Sequence, residues 1–138
     1  MDDTRIKHLE FIQAVITRMN TNSFQLKEWS IAVYAALLAL YAGSNGNKVF
    51  LFIAVVPAVL FWLLDAYYLQ QERKFRGVYN DVAELTNDSE RINVRIFEMP
   101  IQKYTGEKYS YWNVLRSRTI FPLYILMILL AVSGGILL

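Results

Sequence analysis

The chain has 138 residues, 55% of them hydrophobic and 19% charged, with a formal net charge of +2 and no cysteine. The absence of cysteine excludes disulfides, thiolate chemistry and cysteine-ligated metal. Instead of spreading through amphipathic patterns, the apolar residues gather into three uncharged runs, 29–43, 49–64 and 119–138. A bilayer core about 30 Å thick takes roughly 20 helical residues, so the runs predict an all-α membrane protein with three transmembrane helices.

Residues 1–22 read as a cytoplasmic amphipathic helix. Ile6, Leu9, Ile12, Ile16 and Met19 recur at steps of three and four, with Arg5, Glu10, Gln13 and Arg18 on other faces. Asp2 or Asp3 can cap its start. The apolar face either packs on the rest of the protein or lies in the headgroup layer. The stretch NTNS, 20–23, is expected to break this helix and cap the next, with Gln25 three residues after Asn22.

The first span, about 24–43, has Lys27 near its start, long enough to snorkel to the interface. At 100° per residue Ala32, Ala35, Ala36, Ala39 and Gly43 share one side, and Ser30, Tyr34, Leu37 and Tyr41 share the opposite one. The small-residue stripe suits close helix packing, against the second span or against another subunit. Ser30, Tyr34 and Tyr41 are candidates for lining a pore. Gly43-Ser44-Asn45-Gly46 has turn chemistry, which makes spans one and two (24–70) a helical hairpin.

The second span, about 49–70, is expected to continue as a cytoplasmic helix to about Leu85, kinked at Pro57. Asp65 lies in its last turns at the depth of Trp62, Tyr67 and Tyr68. It is either an interfacial carboxylate paired with a neighbour or capping a packed tyrosine, or a pore or gating group. Glu72 and Arg76 form an i,i+4 pair. Residues 71–118 make a cytoplasmic extension and loop region. Within it Ile92, Val94 and Ile96 alternate with polar residues at a strand-like period of two, so the segment pairs with another subunit, forms an ordered extended stretch, or is helical. A short helix, Tyr111–Ser117, follows Ser110, and the third span covers 119–138. Ala131, Ser133, Gly134 and Gly135 give that span a second close-contact site.

Of the 14 Lys and Arg residues, only Lys48 lies in the connection between the first two runs. The positive-inside rule therefore puts the N-terminus and 71–118 in the cytoplasm and the C-terminus outside. The opening Asp2-Asp3 and mixed charge do not resemble a cleavable signal.

Catalytic patterns are missing. The single histidine, His8, has no second histidine for a metal site and no Ser-His-Asp arrangement, and the six glycines form no phosphate-binding loop. No enzyme, metal or cofactor is expected. What stands out is a basic-aromatic set: Arg73, Lys74, Arg76, Tyr79, Arg91, Arg95, Lys103, Tyr104, Lys108 and Tyr109. Cations neutralise phosphates and flat rings stack bases, as a nucleotide or single-stranded oligonucleotide ligand requires. Topology alone and contact with anionic membrane lipid account for the same residues.

The stretches "HLEFIQAVITRMNTNSFQLKEWS", "FWLLDAYYLQQERKFRGVYNDV" and "FEMPIQKYTGEKYSYWNVL" resemble a widespread group of small bacterial multi-pass membrane proteins. Their layout is similar to the SLATT-type and Hailong-type membrane effectors of anti-phage defence. The resemblance implies a homo-oligomeric channel, with a tetramer favoured, and a partner nucleotidyltransferase. That partner's oligonucleotide product would bind the cytoplasmic side and hold the channel closed. No residue-level motif comes with it. The function expected is thus a ligand-gated, homo-oligomeric pore, with a non-conducting adaptor for a cytoplasmic partner as the rival.

Overall fold

A computed structural model describes residues 2–137, so Leu138, the last residue of the expected third span, lies outside it. The chain is 75% helix, with no strand among the described residues. The helices are α1 (Asp3–Gly43), α2 (Val49–Ile53), α3 (Val55–Val82), α4 (Tyr111–Leu115) and α5 (Phe121–Leu137), with short 3-10 turns at Ile101–Lys103 and Glu107–Tyr109. They form two compact units. Unit 1 comprises the chain through Asn22 and Tyr67–Val114; unit 2 comprises Ser23–Ala66 and the chain from Leu115 onward.

Asp2 caps α1 as expected, its carboxylate accepting the Arg5 backbone N–H at 2.8 Å. The break expected at 20–23 does not occur, and α1 runs through it. Asn, Thr and Ser cost only a few tenths of a kcal/mol each inside a helix, and the Ser23 hydroxyl donates to Asp65 instead of capping backbone. Pro57 does interrupt its helix. It offers no N–H to the Ile53 carbonyl four residues back, so α2 ends at Ile53, Ala54 forms a turn, and α3 starts at Val55. The stretch Val49–Val82 is the one long and apolar enough, among the described residues, to cross a membrane. The apolar α5 is shorter, at 17 residues, and the apolar half of α1 is diluted by Lys27 and Glu28.

The end of α3 is closed by two backbone bonds, Leu85 N–H to Asn80 O at 2.8 Å and Glu84 N–H to Asp81 O at 3.2 Å. This C-cap places Glu84 at φ 62, a left-handed position that glycine usually fills. The Glu84 side chain meets Arg5 at 3.2 Å, but both groups are substantially exposed, so the pair is worth about 0–1 kcal/mol. A non-glycine residue in this conformation costs about 1–2 kcal/mol. Glu84→Gly is therefore expected to leave the melting temperature equal or higher; a clear fall would mean that the ion pair outweighs the backbone cost.

Unit 1 has an ordinary apolar core. Ile12 and Ile16 of α1 meet Val78 and Val82 of α3 and the rings of Tyr104 and Tyr109, with Ile92, Val94 and Met99 packed around them. The amphipathic face of α1 is thus spent on protein. Residues 92–94 are extended, with Ile92 and Val94 inward, but no strand pairs with them. Their period of two comes from one-sided packing. It ends at a turn in which Glu98 N–H bonds Arg95 O at 3.0 Å, with Phe97 at φ 63 and Ile96 exposed.

Unit 2 buries Leu26, Leu51, Ile120 and Met127 and encloses Ser23, Ser30 and Asp65 among them, while large apolar side chains on every one of its helices stay exposed, including Ile31, Leu40, Val56, Leu60, Leu126 and Leu130. Helix α2 packs on α5. A Cβ at Gly135 would lie 2.6 Å from the Phe52 ring, so the small residues of α5 are used here. Ala131 and Gly135 are buried, and Gly134 is half-buried. The alanine face of α1 is not used. Ala32, Ala35, Ala36, Ala39 and Gly43 are all exposed, so of the two partners considered for this face the second span of the same chain is not the one it packs against. The opposite, hydroxyl-bearing face turns inward because its polar groups find partners there.

Candidate functional site

Helix α3 presents Arg73, Arg76, Gly77 and Asn80 along one side of unit 1. The returning chain, 101–110, lies against that side. Gln70 Nε2 donates to Tyr109 O at 2.8 Å, and Arg73 Nη1 to Lys108 O at 3.4 Å. Gly77 makes the approach possible: a Cβ there would sit 2.4 Å from the Tyr109 hydroxyl and 2.8 Å from Tyr104 Cδ1. Tyr104 is buried and its hydroxyl donates to Asp81 Oδ2 at 2.5 Å; the same oxygen accepts the Ile92 N–H at 3.3 Å. Burial first, and then the Asp81 carboxylate, hold the Tyr104 hydroxyl well above the usual tyrosine pKa. It stays a donor throughout the physiological range.

Between α3 and this loop lie two adjoining cavities. The larger, about 360 Å³, is walled by Asn80, Thr86, Glu90, Lys103, Thr105 and Lys108. The smaller, about 220 Å³, is walled by Arg73, Arg76 and Lys108, and the two share Gly77, Asn80, Lys108 and Tyr109. Arg76 is bonded to Glu72 at 3.0 and 2.8 Å, as its spacing predicts, with Glu72 buried and Arg76 mostly exposed. Lys108 Nζ sits 5.1 Å from the centre of the Tyr109 ring, and Lys103 meets Glu98 only at 3.8 Å. The smaller cavity is purely cationic in its charged lining, whereas the larger combines Lys103 and Lys108 with Glu90 and Asp81.

The structure brings Arg73, Arg76, Lys103, Tyr104, Lys108 and Tyr109 together here, but not the rest of the basic-aromatic set. Tyr79 packs on the core of unit 1, and Lys74 lines neither cavity. Arg91 lines a separate cavity of about 150 Å³ with His8 and bonds Thr86 O and Asp88. Arg95 is exposed at its turn. The expectation that rings stack bases also needs correcting. Tyr104 and Tyr109 are both buried, edge to face at 5.9 Å, and show the cleft no open face. Sequence reasoning missed Gly77, Asn80, Thr86, Glu90 and Thr105. A lone glycine amid the helical pattern of α3 was the available signal.

Of the residues considered for a pore, Asp65, Ser30 and Tyr34 have hydrogen-bond partners inside unit 2. Asp65 accepts from the Ser23 hydroxyl, from Lys27 Nζ at 2.7 Å and from the Tyr124 hydroxyl at 3.0 Å. Asp65 is thus paired with its neighbours in the structure. Ser30 Oγ donates to Lys27 O at 2.8 Å and the Tyr34 hydroxyl to Met127 O at 3.0 Å. Tyr41 lies over Gly46. In unit 1, His8 is buried and its Nε2 donates to Glu98 O at 2.8 Å. Among the described residues no group of His, Asp and Glu side chains is arranged to hold a metal. Compared with models of known protein families, with curated proteins and with solved structures, the chain matches none, so the cleft and the polar cluster stand on their own geometry.

Proposed function

We propose that the chain is a three-span membrane effector of anti-phage defence that assembles with copies of itself, tetramers being favoured, into a pore gated by a nucleotide or single-stranded oligonucleotide. The observation that carries the reading is the surface of unit 2, where large apolar side chains lie exposed on every helix while the Lys27–Asp65 charge pair is enclosed. A water-soluble domain with such a surface would aggregate, whereas lipid solvates it at no cost. On this reading the apolar parts of α1 and α5 span beside Val49–Val82, in a bacterial inner membrane with the N-terminus cytoplasmic. The uncovered alanine face of α1 suits contact between copies, because packing drives helix association in lipid. The cationic end of the cleft supplies the phosphate-binding chemistry.

A second reading, a non-conducting adaptor, is favoured by one observation. Ser30, Tyr34 and Asp65 are all satisfied within the subunit, so a pore would need its lining from elsewhere. Ion flux from liposomes, with and without oligonucleotide, separates the two. Flux that changes with ligand, and that stops responding in Arg76→Glu with Lys108→Glu while persisting, is the result expected. No flux at any ligand concentration would leave the adaptor.

A further inference from the structure

Resting on the reading that the cleft of unit 1 takes a phosphate-bearing ligand, we propose that it holds the end of a nucleotide chain, a single phosphorylated nucleoside unit, and excludes an internal stretch of strand. Size is the first ground. The two adjoining cavities, about 360 and 220 Å³, fall in the range of a site for one small molecule. A groove that tracks a strand spans several nucleotides.

Polarity is the second ground. Arg73, Arg76 and Lys108 converge on the smaller cavity, where a terminal phosphate, with more charge than an internal diester, is best matched. The larger cavity carries Glu90, exposed and in no ion pair among the described residues, together with Lys103 and Lys108, whereas no carboxylate lines the smaller one. A strand running through both cavities would pass its phosphates from a wall with no carboxylate to one that carries Glu90. A nucleoside brings N–H and O–H donors instead, which the carboxylate accepts, with Asn80, Thr86 and Thr105 in the same wall. The third ground is the lack of a stacking platform. Non-specific single-strand sites rely on open aromatic faces, and Tyr104 and Tyr109 keep theirs buried.

The full chain in detergent is titrated calorimetrically with five probes: inorganic phosphate, a nucleoside, its monophosphate, a short linear oligonucleotide with a terminal phosphate, and the same sequence circularised. The monophosphate and the linear chain are expected to bind. The nucleoside and the circle should be weaker by about tenfold or more, the loss of one charge-assisted contact. Lys108→Ala should weaken both binders by a similar factor, and Glu90→Gln should narrow the gap between circle and linear chain. If the circle binds as well as the linear chain and Lys108→Ala weakens both, the phosphate reading of the cleft stands and end recognition is wrong. If phosphate alone matches the monophosphate, the nucleoside compartment is wrong. If no probe binds, or Lys108→Ala changes nothing, the cleft reading itself fails.

Discussion

Asp65→Ala is expected to lower stability by about 3–5 kcal/mol, the usual consequence of removing one member of a buried ion pair. The carboxylate is fully buried and the Lys27 side chain is 18% exposed, so the ammonium left behind has little water to turn to. Two further donors, the Ser23 and Tyr124 hydroxyls, would lose their acceptor at the same time. The measurement is thermal unfolding, or protease resistance, in a mild detergent. Replacing both charges, as Lys27→Met with Asp65→Leu, should recover much of the loss, because apolar residues of similar size often substitute for a whole buried pair at little net cost. Lys27→Met alone, Asp65→Leu alone and the double then form a cycle whose coupling reports the pair directly. An Asp65→Ala protein that melts like the unaltered one would show that the cluster does not hold α1, α3 and α5 together.

Gly77→Ala should also destabilise, although the same change in an open helix does the reverse. Inside a helix, alanine is normally better than glycine by about 0.5–1 kcal/mol. Here the added methyl would meet the Tyr109 hydroxyl and, more importantly, Tyr104 Cδ1 in the body of a ring that Asp81 holds in place. Overpacking of this kind costs about 1–3 kcal/mol, and moving the loop would deform the cleft as well. Gly43→Ala is the control, since nothing lies within 4 Å of a Cβ there; it should be neutral or slightly stabilising. If both variants melt alike, the 101–110 loop does not rest on α3.

Spacing along helices was the part of the structure most legible in the sequence. It found the Glu72–Arg76 pair, the inward face of α1 in unit 1 and the two opposite faces of α1 beyond residue 23. It did not tell which of those two faces turns inward, because the choice is made by hydrogen-bond partners, and these come from Met127 and Asp65, far along the chain. Local signals misled where a distant contact was stronger. The polar 20–23 stretch stays helical because Ser23 is engaged by Asp65, and the alternation at 92–96 reflects one buried side instead of a sheet. For the cleft, charge and ring content pointed to the right loop and helix. Composition could not show that Tyr104 and Tyr109 serve as packing, nor that Glu90 lines the larger cavity, since both follow from how the returning chain folds.

The apolar exterior and enclosed polar cluster of unit 2 bear on how such a chain can change over generations. Its exposed leucines, isoleucines and valines are nearly interchangeable wherever the surroundings are apolar, since exchanging one for another alters neither charge nor hydrogen bonding. Ser23, Lys27, Asp65 and Tyr124 have no such freedom, because each satisfies another. Drift would therefore scramble most of the letters while holding a few polar ones in register. Two descendants could share this unit and its clamp yet agree at little more than those positions.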